Sequence, residues 1–81
     1  MKELIEFIVK SLVETPEQIS ITETQGENIS IVEVRVAETD MGKVIGKEGK
    51  IANAIRTVAK AAAGKAQKRV NVEFISKGEK Q

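Results

Sequence analysis

The stretch GKVIGKEGK, residues 42–50, sets three glycines and three lysines around a single acid, Glu48. Glycine allows a sharp turn and lets a phosphodiester approach with no Cβ in the way. Lysine adds mobile positive charge. The chemistry on offer is the holding of phosphate, in one of three forms: a solvated corner, a nucleotide-phosphate loop, or a clamp on a nucleic-acid backbone. A Walker A loop needs four residues between its glycines, then Lys and a hydroxyl residue. Here three residues separate Gly42 from Gly46, and Glu48 follows Lys47. The dinucleotide fingerprint G-x-G-x-x-G fails too, because Val44 stands where its first glycine should be. What remains is G-x-x-G, Gly46 to Gly49, preceded by Val44-Ile45. Gly49 lies just before a helical segment whose free N–H groups and positive dipole end attract anions.

Catalysis finds little to work with. The chain has no cysteine and no histidine, which removes disulfides, thiolate metal sites and the usual general base. No nucleophile is paired with a base, and no cluster of acids lies near the loop. The sequence implies no catalytic residue, no metal, no cofactor and no enzyme.

Charge is divided along the chain. Residues 1–40 carry three basic and nine acidic side chains, whereas residues 41–69 carry eight basic and one acidic. A formal net charge of +1 hides this division, which suits one face built for a polyanion. The eight cations include Lys43, Lys47, Lys50, Arg56 and Lys60.

The loop needs elements to hold it. Leu4, Ile5, Ile8, Val9, Leu12 and Val13 recur at helical spacing, and Thr15-Pro16 stops that helix. Ile19 and Ile21 share a face of a first strand, and a turn follows at Gln25-Gly26-Glu27-Asn28. Val32, Val34 and Val36 share a face of the second strand. Ile29 and Ile31 have the opposite parity, so a bulge or burial on both sides is expected there. Thr39 or Asp40 is placed to cap a short helix over Met41–Ile45. A longer helix is expected over Lys50–Ala63, with Ile51, Ile55, Val58 and Ala62 as its buried stripe and Gly64 as its stop. The last strand covers Arg69–Ile75, with Val70, Val72 and Phe74 on one face. A helical crossover makes the second and third strands parallel, and the hairpin supplies an antiparallel neighbour. The expected fold is α+β: α-β-β-α-α-β, a three-stranded mixed sheet with helices on one face. Residues 1–76 form the single domain and 77–81 a flexible polar tail. No apolar run is long enough to cross a bilayer, and the N-terminus lacks the core of a secretory signal, so a cytoplasmic protein with no membrane association is expected.

With the elements in place, VIGKEGKIANAIR resembles the signature of the KH domain, a single-stranded nucleic-acid binder. A helix and strand ahead of the β-α-α-β core resemble its type II, mainly bacterial, version, and the likeness spans essentially the whole chain. It implies a clamp on the sugar-phosphate backbone at Gly46, Lys47, Glu48 and Gly49. Lys43, Lys47 and Lys50 would supply charge, while Ile45, Ala52, Ile55 and the second-strand valines would floor a cleft for unstacked bases. Asn53 and Arg56 complete the RNA-binding set. Ala52 falls where many KH domains carry a larger aliphatic residue, which reduces the apolar surface under the bases. The resemblance also implies a chaperone-like RNA regulator that associates with itself and with a larger RNA-binding partner, linked to cell-envelope synthesis and cell shape.

Plainer readings stand beside these. Ile45, Ile51, Ile55 and Val58 suit a core, Arg56 and Lys60 suit a solvated helix face, and Asn53 and Thr57 could simply face water. Phe7 and Phe74 are placed in the core, so aromatic stacking on bases is not expected. The function implied is single-stranded RNA binding of low sequence selectivity over roughly four nucleotides. The alternative is an assembly subunit. AKAAAGKA, residues 59–66, offers small side chains for close helix approach, and Ala62 and Ala63 are the expected contacts of a homodimer.

Overall fold

In the computed structural model, which describes residues 1–78, the three strands form one sheet. Its spatial order is β1 (Ser20–Gln25), β2 (Ile29–Val36), β3 (Arg69–Ser76). β1 and β2 are antiparallel, with Ile21 opposite Val34. β2 and β3 are parallel, with Val32 opposite Val72, as the helical crossover demands. Among the described residues three α-helices accompany the sheet: α1 (Lys2–Leu12) ahead of it, then α2 (Met41–Ile45) and α3 (Lys50–Lys65) between β2 and β3. The class and element order are those expected from the sequence.

One face of the sheet carries the core. Val32, Val34 and Val36 of β2 and Val72 of β3 are enclosed with Ile5 and Val9 of α1, Val44 of α2, and Ala59 and Ala63 of α3. Fully burying a branched aliphatic side chain stabilises the fold by about 1.5–3 kcal/mol, so these few residues carry much of the domain.

Three expectations are corrected by that packing. The β2–β3 register runs unbroken from Ile29↔Arg69 to Val36↔Ser76, so there is no bulge. Ile29 and Ile31 lie instead on the uncovered face, 39% and 37% exposed, and Ser30 takes the buried place in phase with the valines. The buried line of α3 is Ala52, Ile55, Ala59 and Ala63, not Ile51, Val58 and Ala62. Alanines let the helix lie close on the sheet and turn the larger side chains to its flank, where Val58 is 45% exposed. Phe7 is 72% exposed. At about 100° per residue it points some 200° away from both Ile5 and Val9, which hold the core-facing line of α1.

Helix α3 passes through Gly64 and ends one residue later, at Lys65. Gln67 takes φ 58°, its N–H donates to Gly64 O at 3.0 Å, and Lys68 N–H donates to Ala63 O at 3.0 Å. This is a Schellman ending with glutamine in the left-handed place. At the chain's end, Lys77 N–H donates to Val36 O at 2.9 Å, so the expected polar tail is still tied to the sheet at its first residue; 79–81 lie outside the described residues.

Asp40 precedes α2 but makes no side-chain cap there. It is 1% exposed, and its carboxylate accepts from Glu14 N–H at 3.1 Å and Thr15 N–H at 3.0 Å. The residue that introduces α2 thus ties down the chain leaving α1. Asp40→Ala strands two backbone donors and is expected to cost about 2–3 kcal/mol, read as a lower midpoint in urea with an unchanged slope. A midpoint within error of the parent would show that these donors find water instead.

Candidate nucleic-acid interface

The geometry of the G-x-x-G loop follows from three positive φ angles in four residues. Gly46 stops α2 by adopting φ 77°, ψ 174°, a region essentially closed to other residues, while its N–H still donates to Gly42 O at 2.9 Å. Glu48 (φ 58°, ψ 24°) and Gly49 (φ 76°, ψ 14°) are both left-handed, and Gly49 N–H closes the turn on Gly46 O at 3.2 Å. For Glu48 that conformation costs about 1–2 kcal/mol.

The three glycines of the stretch differ in what they require. A Cβ on Gly46 would lie 2.6 Å from Ile51 Cγ1 and 2.9 Å from Ile51 N, so both space and backbone demand glycine there. At Gly49 only the backbone demands it, the nearest atom to a Cβ being Asn53 Nδ2 at 4.0 Å. Gly42 meets nothing within 4 Å. Ile51, expected in the core, is the side chain that seats Gly46 and so sets the angle between α2 and α3.

This turn delivers a helix start. Gly49, the residue before α3, offers no side-chain cap; Lys50 N–H donates to Lys47 O within the turn, and the positive dipole end of the 16-residue helix lies behind it, where an anion is favoured. Lys43 lies half-buried in α2, Lys47 is exposed in the turn, and Lys50 is the exposed first residue of α3. Among the described residues none of the three forms an ion pair. Glu48 is exposed at the turn.

The remaining expected residues fall into two groups. Ala52 and Ile55 are 2% and 3% exposed, and the valines Val32, Val34 and Val36 are wholly enclosed. They hold α3 against the sheet and present no surface to a base. Ile45 is partly buried at the end of α2. Asn53 and Arg56 lie on the flank of α3 toward β3. Arg56 Nε donates to Val72 O at 3.1 Å, Nη1 donates to Asn53 Oδ1 at 3.3 Å, and Cζ stands 5.4 Å from the centroid of the Phe74 ring. An arginine stacked on an aromatic ring and bonded to the outer edge of β3 is a fixed cation, not a free helix-face charge. Thr57 Oγ1 donates to Asn53 O at 2.9 Å, which occupies its hydroxyl within the helix.

Sequence reasoning missed that Phe74 and the edge of β3 hold Arg56 in place. The signal was present: Arg56 follows Ala52 by four residues and precedes Ala59 by three, which places it beside the buried line. The alternation Val70, Val72, Phe74 brings the ring into the same layer. The opposite flank of α3 is apolar. Ile8 and Leu12 of α1 and Ile51, Ala54 and Val58 of α3 line a groove of about 310 Å³ there.

Known proteins place this arrangement. The profile of the family described as KhpA/KhpB, KH domain, matches residues 2–74. The RNA-binding protein KhpA of Clostridium acetobutylicum is 59% identical over 75 residues, which are 93% of this chain and all of that protein. The RNA-binding protein KhpA of Borreliella burgdorferi is 48% identical over 73 residues, 90% of this chain and 89% of that one. Among solved structures, the crystal structure of Era in complex with MgGDPNP and nucleotides 1506–1542 of 16S ribosomal RNA matches with a TM-score of 0.57. That match covers 93% of this chain and 29% of Era at 21% identity, a likeness of fold.

Proposed function

Because the chain belongs to the KhpA/KhpB KH-domain family, we propose that it binds single-stranded RNA, with the sugar-phosphate backbone held at Gly46–Gly49. It is not an enzyme; the relatives are RNA-binding proteins by name. The observation that carries the reading is the start of α3, without a side-chain cap, behind a turn that only glycine can make at Gly46, flanked by three lysines that form no ion pair among the described residues. Phosphate is held by backbone N–H groups and mobile charge, neither of which reads sequence, so selectivity is low. The buried Ala52 and Ile55 leave bases little apolar surface, which keeps affinity modest. Resemblance to the family extends the proposal to a cytoplasmic, chaperone-like RNA regulator linked to cell-wall biogenesis and cell shape. The paired family name supports a KhpB-type RNA-binding partner.

Glu48 tests the reading. It is the one acid in the loop, and its exposure leaves it free to oppose phosphate. Glu48→Lys is expected to tighten binding of a short single-stranded RNA at low salt. It should also steepen the salt dependence by up to about one phosphate contact, roughly 0.7 in slope. Stability should change by less than about 0.5 kcal/mol. Fluorescence titration at several salt concentrations decides: equal or weaker binding would mean that the apex of the loop faces away from RNA.

A second reading, assembly, is favoured by the other flank of α3. Phe7 is 72%, Val58 45% and Leu4 37% exposed on the helical side of the molecule, apolar area that a second copy or the larger partner would cover. Doubling the sites would raise avidity without any new RNA contact. Of the two alanines expected at such an interface, Ala63 is 7% exposed and faces the sheet, whereas Ala62 is part-exposed; α1 and the outer flank of α3 add apolar area to that contact. Val58→Lys is expected to shift sedimentation from dimer to monomer while the thermal midpoint of the monomer stays within a few degrees. A parent protein that sediments as a monomer at high concentration removes this reading.

A further inference from the structure

The basic segment has a second cluster that the loop does not use. Lys43, Lys47 and Lys50 belong to the loop and Arg56 is committed to Val72 O, Asn53 Oδ1 and the Phe74 ring. Four remain, Lys65 at the end of α3 and three that gather at one corner: Lys60, Lys68 and Arg69. All three are exposed, and among the described residues none is in an ion pair. They converge nonetheless: with Ile29, Val70 and Asn71 they line one concavity of about 480 Å³ at the end of α3 where the chain enters β3. Arg69 N–H donates to Asn28 O at 3.0 Å, which fixes this corner to the β1–β2 hairpin. The Schellman ending at Gln67 holds the turn on the other side. Ile29, 39% exposed, stands beside the three cations. A large aliphatic surface ringed by cations suits a ligand that alternates flat apolar groups with anions, which is the chemistry of an unstacked strand.

The position supports the same ligand as the loop. At 1.5 Å per residue, Lys60 lies about 15 Å along α3 from Lys50. Arg56 stands between them on the flank that faces β3. β3 runs back along this flank, with Val72 beside Arg56, so Arg56 and the edge of β3 lie between the loop and the corner, with cations at both ends.

We propose that Lys60, Lys68 and Arg69, gathered around Ile29, form a second RNA contact that extends the bound stretch beyond the nucleotides held at the glycine loop. The proposal rests on the RNA reading of the loop, and the experiment separates the two. Oligouridines of four and ten nucleotides are titrated against the parent protein and against the triple variant Lys60→Ala, Lys68→Ala, Arg69→Ala at low salt. The parent is expected to bind the ten-mer at least about tenfold tighter than the four-mer, beyond the statistical gain of extra registers measured on the triple variant. The variant should bind the four-mer as the parent does and lose that excess, with a salt slope for the ten-mer lower by about 1–2. Circular dichroism and the thermal midpoint verify that the variant is folded, and Ile29→Ser, which keeps all charges, should lose part of the same excess. Equal binding of the ten-mer by parent and triple variant overturns the second contact while leaving the loop reading intact. No binding of either oligomer by the parent overturns both.

Discussion

Replacing Lys47 and Glu48 together by Asp is expected to lower affinity for single-stranded RNA at least about 100-fold and to leave the fold in place. Both side chains are exposed and neither is in an ion pair among the described residues, so no native contact is lost. Position 48 requires φ 58°, which aspartate accepts more readily than most residues. Stability should therefore move by no more than about 0.5 kcal/mol. Binding changes for two reasons. A charge-assisted contact from Lys47 contributes about 1.5–3 kcal/mol, and its loss is compounded by a new anion at the turn. A hundredfold loss corresponds to about 2.7 kcal/mol, within that range before repulsion is added. A variant with a native thermal midpoint and undiminished affinity would remove the loop from the binding account.

The second large effect is on folding. Gly46→Ala places a Cβ 2.6 Å from Ile51 Cγ1 in a backbone conformation that costs about 1–3 kcal/mol for any side chain. Overpacking adds about 1–3 kcal/mol. A total of about 3–4 kcal/mol should lower the thermal midpoint by some 15–25 °C in a domain of this size. Gly42→Ala is the control four residues away in the same stretch: its Cβ meets nothing within 4 Å, and alanine favours the helix by up to about 1 kcal/mol. The two substitutions should thus act in opposite directions, and equal effects would show that Ile51 does not seat the loop.

These contrasts mark what the sequence could and could not disclose. The element order was legible because each segment has one period: 3.6 in the opening helix, 2 in Val32, Val34 and Val36. The parallel pairing followed from the length of the crossover. Which side of a helix faces inward was not legible where two lines of similar size compete. Ile51, Val58 and Ala62 have as good a spacing as Ala52, Ala59 and Ala63, and only the closeness of helix to sheet selects the alanines. Phe7 misled for a related reason, since apolarity alone placed it inside and its phase relative to Ile5 and Val9 places it out. Asp40 stood where local rules put a cap, yet its partners lie 25 and 26 residues earlier. The glycine loop itself was legible by its spacing. The reason that Gly46 is indispensable, Ile51 against its Cα, is a contact between two helices and appears only in the folded chain. Arg56 likewise read as a solvated helix charge until Val72 and Phe74 came alongside.

The central claim is that single-stranded RNA lies against the glycine loop. Ultraviolet crosslinking of the parent protein to 4-thiouridine-containing RNA, followed by proteolysis and mass spectrometry of the adducts, locates the contact without assuming its affinity. The expected result is that RNA-bearing peptides derive mainly from the segment spanning residues 42–56, and that Lys47→Asp with Glu48→Asp abolishes them. Adducts confined to the α1 segment, or unaffected by the loop substitutions, would contradict it.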